Sequence, residues 1–153
     1  MTANTLTPAL HDTITLERTY NASPPRVFAA WRDVEARERW SKPSADTEIV
    51  YDQAEFKVGG LDIVRCGFKG DLRFQAHVRY LEIIPDARIV MAETVAENGA
   101  AKAVSLITVE MKAAGKATDL RVTLQVSALD GSDMLQGYLD GWSPTLDNLA
   151  NEF

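Results

Sequence analysis

The sequence predicts an α+β domain in which a curved antiparallel sheet of seven strands wraps around a long C-terminal helix. Apolar and polar residues alternate through the middle of the chain, which is typical of strands with one buried face. The joints between these segments are short and rich in Gly, Pro and Asp, so neighbouring segments should pair as antiparallel hairpins. A helical period appears near the N-terminus and again at the C-terminal end.

The N-terminal segment, residues 1–11, is polar, and we expect it to be flexible. Residues 12–153 are enough for one domain with a core and a pocket, because chains of this length bury about 70% of their unfolded surface. The first strand is predicted at residues 12–20, where alternate residues form one apolar face.

Two short helices should follow the first strand. Ser23 is suited to the N-cap and Pro24 to the first helical position, so a helix is predicted to end near Arg32. Asp33 can cap a second short helix that ends near Trp40.

Six further strands are predicted, because the period changes to two after the helices and no segment is long enough for a helical crossover. A bend or bulge is expected at Gly59 and Gly60. The strands are predicted at residues 48–52, 58–66, 73–84, 88–96, 103–112 and 119–128.

The C-terminal helix is predicted over residues 132–153, with turn residues and oxygen-bearing caps at Asp130, Gly131, Ser132 and Asp133. Pro144 lies inside it and should kink or break it near Trp142, because proline removes a hydrogen bond and clashes with the preceding turn. An apolar stripe with helical spacing, bordered by Tyr138, comprises Leu135, Leu139, Trp142, Leu146, Leu149 and Phe153.

Composition excludes several classes of protein. The net charge of −6 argues against a nucleic acid or an anionic membrane as partner, since both attract clustered Lys and Arg. The single cysteine, Cys66, excludes an internal disulfide and fits a reducing compartment. The N-terminus lacks a secretory pattern and no long apolar run occurs, so we expect a cytoplasmic protein.

The sequence also resembles the homologues of the heat-shock-protein-90 ATPase activator, within the SRPBCC (START-like, birch-pollen-allergen-like) superfamily. That resemblance implies the helix-grip fold, which agrees with the order of strands and helices predicted above. The motifs that carry it are RTY at residues 18–20, ASPPRVFAAW at 22–31, RW at 39–40 with Pro43, FKVGG at 56–60, IIP at 83–85, and GW at 141–142 with Leu146 and Leu149.

Two positions depart from the family pattern. Ser41 stands where members often carry a second tryptophan, and Asp62 stands where an aromatic residue is common. A polar side chain at Asp62 would change the pocket, so a ligand cannot be carried over by analogy.

Motifs for metal, nucleotide or nucleophilic chemistry are not present. His11 and His77, the two histidines, lie far apart and away from any metal-ligand spacing, so no metal site and no cofactor are expected. A nucleophile elbow and a phosphate loop are also missing. Cys66 follows Arg65, which would lower a thiol pKa, but a cysteine in a strand is usually an inert small hydrophobe.

A cavity between the sheet and the last helix is therefore the candidate site, since pockets for small molecules combine apolar walls with a few polar groups. Alternation places Asp62 and Arg65 on opposite faces of one strand, and leaves open which face is the inside. His77 and Arg79 share one face of their strand. The candidate lining residues are Trp31, Trp40, Tyr51, Arg65, His77, Arg79, Met91, Glu93, Tyr138, Trp142 and Leu146.

Glu93 is the carboxylate that we expect to be buried, because it shares a face with apolar neighbours. A buried carboxylate needs a partner, and Arg65 or Arg79 would serve. Glu93 and His77 are the candidate catalytic groups, with a structural ion pair as the alternative role for Glu93.

Three functions are compatible with these observations. The leading hypothesis is a protein without catalytic activity that binds a small hydrophobic or aromatic molecule in the cavity. The alternatives are a cyclase or hydrolase that uses the same cavity, as in some members of the wider superfamily, and a module that interacts with a chaperone, as the family name suggests. We also expect a homodimer, for which Phe68, Trp40 and Tyr80 would supply an exposed patch.

Overall fold

The computed structural model describes residues 6–129 and 133–153, which form seven strands and three α-helices. Their order is the predicted one, and the α+β class is confirmed. The elements are β1 (Leu10–Tyr20), α1 (Pro24–Arg32), α2 (Val34–Trp40), β2 (Thr47–Gln53), β3 (Leu61–Phe68), β4 (Asp71–Ile84), β5 (Arg88–Glu97), β6 (Ala100–Ala114), β7 (Ala117–Ala128) and α3 (Met134–Leu149), followed by a 3-10 turn at Ala150–Glu152.

The strands form one open antiparallel sheet in the order β1-β7-β6-β5-β4-β3-β2. Strands β2 to β7 are a meander, and β1 joins its far edge by pairing with β7. The register shifts at Tyr51/Gln53, Cys66/Phe68, Tyr80/Glu82 and Val95/Ala96. Such bulges increase the local twist and bend the strands, which gives the sheet a concave face.

β1 starts earlier than predicted. Leu10 and His11 pair with Ala128 and Ser127 of β7, so these two residues belong to the sheet and not to the N-terminal segment expected to be flexible. The remaining strand predictions agree with the structure to within three residues at each end. Alternation shows that a strand is present more reliably than it shows at which residues the strand begins and ends.

The caps of the two short helices differ in detail. Ser23 occupies the predicted N-cap of α1, but its side chain makes no capping hydrogen bond. Asp33 caps α2 as predicted, because its Oδ1 accepts a hydrogen bond of 3.0 Å from the backbone N–H of Glu35.

Gly59 and Gly60 lie in the turn before β3 and not inside the strand, so the chain bends there as predicted, without a bulge inside the strand. β3 starts only at Leu61. A Cβ atom on Gly60 would lie 2.1 Å from the backbone oxygen of Glu55, so the turn closes only with a glycine at this position.

α3 continues through Pro144, so the predicted break does not occur. The helix is held on both sides of the proline by packing and hydrogen bonds. Tyr138 lies before it and Leu146 after it, and both are buried. The Tyr20 hydroxyl donates a hydrogen bond of 2.6 Å to the backbone oxygen of Leu146, which ties this end of α3 to β1.

The buried face of α3 is rotated slightly from the predicted stripe. Leu139 is 37% exposed, whereas Tyr138 is 5% exposed. Tyr138, and not Leu139, therefore lies on the inner face of α3. Its polar hydroxyl can be buried there because it hydrogen-bonds to Glu93 of β5 and lies close to Ser105 of β6. Asp130, Gly131 and Ser132 of the predicted turn lie outside the described residues. Asp133 is the N-cap of α3, but its side chain makes no capping hydrogen bond.

The main core lies where the helices press most closely on the sheet. α1 packs on β6 and β7, and α3 packs on β1 and β7. Ile89, Ile107, Leu124, Leu146 and Leu149 are almost completely buried there. No helix in the described part of the chain is long and apolar enough to cross a membrane.

The exposed patch predicted for a homodimer does not form. Trp40 is 4% exposed and Tyr80 is 2% exposed, because both side chains face the interior, and only Phe68 lies at the surface. The homodimer stays a prediction without an assigned surface.

Candidate functional site

A cavity of about 780 Å³ lies between the concave face of the sheet, α3 and the two short helices. Its volume is within the usual range for small-molecule sites, roughly 300–1,000 Å³. Most of its wall is apolar or aromatic, and the residues that line it include Trp31, Trp40, Phe56, Met91, Ile107 and Trp142.

All three tryptophans of the chain line the cavity. Trp31 stacks on Trp142 with 6.2 Å between ring centroids and 21° between planes, and it also contacts Trp40 at 4.8 Å. The Trp40 indole donates a hydrogen bond of 3.0 Å to the Ala30 oxygen. The Trp31 indole nitrogen has no hydrogen-bond partner among the described residues.

One side of the cavity holds a buried ion pair between α2 and the sheet. Nη1 of Arg37 lies 2.6 Å from Oδ2 of Asp62, and the Tyr80 hydroxyl donates to the same oxygen at 2.5 Å. The backbone N–H of Glu55 donates to the other carboxylate oxygen at 2.9 Å. The guanidinium lies over the Tyr51 ring, 4.8 Å from its centroid. Both oxygens of Asp62 are therefore satisfied by the protein.

The charges of this cluster support one another. Burial acts to lower the pKa of Arg37, but Tyr80, Tyr51 and Asp62 outweigh burial and raise it. Burial raises the pKa of both Tyr51 and Tyr80, although Arg37 opposes this. The guanidinium is thus charged and the phenols are neutral at physiological pH.

Sequence reasoning missed Arg37. Arg37 lies three residues before Trp40 in α2, so the two side chains share one face of the helix, and Trp40 is buried. That spacing was the available signal. The ion pair also accounts for the departure from the family pattern at Asp62. This residue faces inward and neutralises the charge of Arg37.

A second polar group contains Glu93. The Tyr138 hydroxyl donates a hydrogen bond of 2.8 Å to Oε1 of Glu93 and lies 3.1 Å from Oγ of Ser105. Burial raises the pKa of Glu93, and the hydrogen bond from Tyr138 opposes only part of this rise. The predicted ion pair with Arg65 or Arg79 is wrong, because both arginines extend from the opposite face of the sheet.

The two polar groups lie on one transverse row of the sheet. Asp62 is paired with Val78 of β4, Val78 with Glu93 of β5, and Glu93 with Ser105 of β6. Neighbouring strands are about 4.8 Å apart, so the backbone positions of Asp62 and Glu93 are separated by about 10 Å. The floor of the cavity thus has two carboxyl groups with an apolar residue between them.

Four of the predicted site residues do not line the cavity. Arg65 pairs with Asp52 at 2.7 Å on the outer face, and Arg79 donates to the Gly59 oxygen at 2.8 Å. His77 is exposed on that same face, because alternation along β4 turns Ala76, Val78 and Tyr80 inward. His77 therefore cannot act on a molecule in the cavity. Leu146 is buried in the adjacent core. The candidates that line the cavity are Trp31, Trp40, Tyr51, Met91, Glu93, Tyr138 and Trp142.

Cys66 also lines the cavity. Burial, with a smaller effect of Glu93, raises the pKa of its thiol to about 11. Arg65, its neighbour in sequence, faces away and does not lower this pKa. The thiol is therefore protonated and poorly nucleophilic.

The fold and the cavity define a helix-grip domain of the START-like (SRPBCC) class. A family model described as "Activator of Hsp90 ATPase homolog 1-like protein" matches residues 21–153, so the chain belongs to that family.

Solved structures of bacterial proteins agree. A Rhizobium loti protein is 33% identical with a TM-score of 0.85, over 96% of this chain and 100% of that one. A Rhizobium leguminosarum protein is 30% identical with a TM-score of 0.87, over 95% of both chains. A Chromobacterium violaceum protein is 25% identical with a TM-score of 0.79, over 91% of this chain and 94% of that one. A comparison with curated proteins gave no match.

Replacing Arg37 tests the buried ion pair. Arg37→Met leaves Asp62 without a cation in the interior, so the free energy of unfolding should fall by about 3–5 kcal/mol in urea denaturation. The double variant Arg37→Met/Asp62→Leu should recover most of this loss. Arg65→Met is the matched control, because it breaks an exposed Arg–Asp pair and should change stability little. An Arg37→Met protein as stable as the wild type would show that the pair does not hold α2.

Replacing Glu93 tests its shifted titration. A raised pKa in the folded state means that folding favours the protonated carboxyl, so this group makes the protein less stable as pH rises from the usual value of 4.5 towards the raised one. Gln does not titrate. The free energy of unfolding of Glu93→Gln relative to the wild type should therefore increase over that range and then level off. A difference that stays constant with pH in urea denaturation would contradict the shift.

Proposed function

We propose that this protein binds a small, largely apolar molecule in the cavity between the sheet and α3. The observation that carries the proposal is the cavity itself, about 780 Å³ with a wall of stacked tryptophans and few polar groups. This combination is typical of sites for ligands and cofactors. Membership of a superfamily whose domains generally bind ligands supports the same function.

The aromatic wall suits a ligand with rings. Trp142 is half-buried and backed by Trp31, so it presents a rigid aromatic surface, and aromatic contacts add about 0.5–1.5 kcal/mol to the gain from burial alone. Burial of apolar ligand surface contributes about 25 cal/mol per Å² before the cost of losing translational and rotational freedom. A ring system of moderate size therefore has enough contact area for micromolar binding.

A cyclase or hydrolase that uses the same cavity is the second candidate. The observation that favours it is Glu93, a buried carboxyl with a raised pKa whose Oε1 is held by Tyr138. Such a group can act as a general acid or base on a bound molecule. In an enzyme of this kind the Glu93→Gln variant would still bind the molecule but would no longer convert it. In a simple binding protein neither the wild type nor Glu93→Gln would convert the bound molecule.

The family description also names a chaperone ATPase. A chaperone partner would contact the outer surface of the domain. Substitutions confined to the cavity would then leave that interaction unchanged, which separates this function from ligand binding.

Filling the cavity tests the proposal. In a thermal-shift screen of apolar and aromatic metabolites, a ligand at about 100 times its dissociation constant adds about 2.7 kcal/mol, which raises Tm by about 5–10 °C. Val95 lines the cavity, so Val95→Phe should abolish this shift. Thr94→Phe, one residue away on the exposed face, should retain it.

Each variant is first melted without ligand, so that a change in its own Tm is not counted as a ligand effect. If Val95→Phe and the wild type show equal shifts, the molecule binds elsewhere and the proposal is wrong.

A further inference from the structure

We propose that the ligand is a hydrophobic amine, bound as a cation with its ammonium group against Glu93. This inference rests on the function proposed above and adds the chemical class of the ligand.

The first observation is the charge of the cavity wall. Arg37 and Arg73 are its cationic side chains among the described residues, and each is already paired, Arg37 with Asp62 at 2.6 Å and Arg73 with Asp71 at 2.5 Å. Four further carboxylates line the wall without an ion pair among the described residues. They are Glu48, Glu93, Glu97 and Asp140.

This imbalance favours cations. Arg73 lies close enough to Glu97, and Arg65 to Glu48, for each carboxylate to raise the pKa of the arginine. Glu97 and Glu48 are therefore partly compensated, but no cation acts in this way on Glu93. A recess lined by charges of one sign, with low-dielectric walls, concentrates ions of the opposite sign. The cavity should therefore attract positively charged molecules and repel carboxylates.

The second observation is the open side of Glu93. The side chain is half-buried and lines the cavity. Oε1 accepts the hydrogen bond from Tyr138, whereas Oε2 has no hydrogen-bond partner among the described residues. Tyr138 has only one proton to donate, and its oxygen is also within 3.1 Å of Ser105. The protein thus fixes the carboxyl group and leaves one oxygen for another donor.

Asp62 shows what a fully satisfied carboxylate looks like in the same row of the sheet. It has an arginine, a tyrosine hydroxyl and a backbone N–H, and it needs no further donor. Among the described residues Glu93 has a hydrogen bond from the tyrosine alone. Arg37 is held by Asp62, whose backbone lies about 10 Å from that of Glu93.

A carboxylate without a cation in such surroundings is unfavourable unless it gains a proton or a positive partner. A ligand ammonium group provides both the charge and the missing hydrogen-bond donor. The rest of the ligand contacts the aromatic wall, where Trp142 is only half-buried and its ring can also attract a cation. An alcohol would satisfy the hydrogen bond without the charge, and a carboxylate would add a second negative charge.

Three fluorescent probes with the same ring system test the inference: 1-pyrenemethylamine, 1-pyrenemethanol and 1-pyrenecarboxylate. Their dissociation constants at neutral pH are measured by energy transfer from tryptophan. The amine should bind at least about tenfold more tightly than the alcohol, and the carboxylate should bind most weakly.

Variants locate the preference at Glu93. Glu93→Gln should reduce the amine-to-alcohol ratio to about threefold or less, with little change in the affinity for the alcohol. Glu110→Gln removes the same charge from an exposed position on β6 and should keep the preference of the wild type.

The outcomes separate this inference from the function on which it rests. If the alcohol or the carboxylate binds as tightly as the amine, the cationic class is wrong and cavity binding stands. If Glu93→Gln keeps the full preference for the amine, the contact with Glu93 is wrong. If none of the probes binds the wild-type protein, both proposals are contradicted for ring systems that fit the cavity. The comparison among probes uses the wild-type protein and does not depend on whether a variant folds.

Discussion

The ion pair between Arg37 and Asp62 fixes the distance between the short helices and the sheet. A guanidinium and a carboxylate that leave water must meet at close range, so α2 has to lie where Arg37 reaches β3 and β4. α3 packs instead on β1 and β7, near the other edge of the sheet. The concave surface between these two attachments is bridged by aromatic side chains, and the cavity lies beneath them. The buried ion pair near one edge of the sheet thus keeps α2 in place beside the largely apolar cavity at the centre.

The same row of the sheet shows how similar carboxyl groups acquire different roles. Asp62 is saturated by partners from α2, β4 and the segment before β3, and its role is structural. Glu93 lines the cavity and has a single side-chain partner among the described residues, Tyr138, which binds one of its two oxygens. Burial raises the pKa of Glu93 because nothing in the described protein neutralises it. We interpret an incompletely satisfied acid in a largely apolar cavity as a feature that a ligand completes.

Most of the fold could be predicted from the sequence, because alternation and turn residues are local signals that identify strands and hairpins. The face of each strand that points inward could not be predicted, because periodicity does not distinguish the two faces. For this reason His77, Arg65 and Arg79 are predicted to line the cavity but lie on the outer face of the sheet. Arg37 was overlooked because an arginine in an amphipathic helix is usually at the surface. The partner of Glu93 could not be predicted either, because Tyr138 meets it only through tertiary packing.

The central claim is that the cavity is where a molecule binds, and the three tryptophan side chains report on it directly because all of them line it. The decisive measurement is the indole N–H spectrum by nitrogen-15 NMR during titration with 1-pyrenemethylamine. We expect the Trp31 and Trp142 resonances to shift in proportion to saturation, and Val95→Phe to abolish both the binding and the shifts. Saturable binding that leaves all three indole resonances in place would put the molecule outside the cavity and contradict the proposed function.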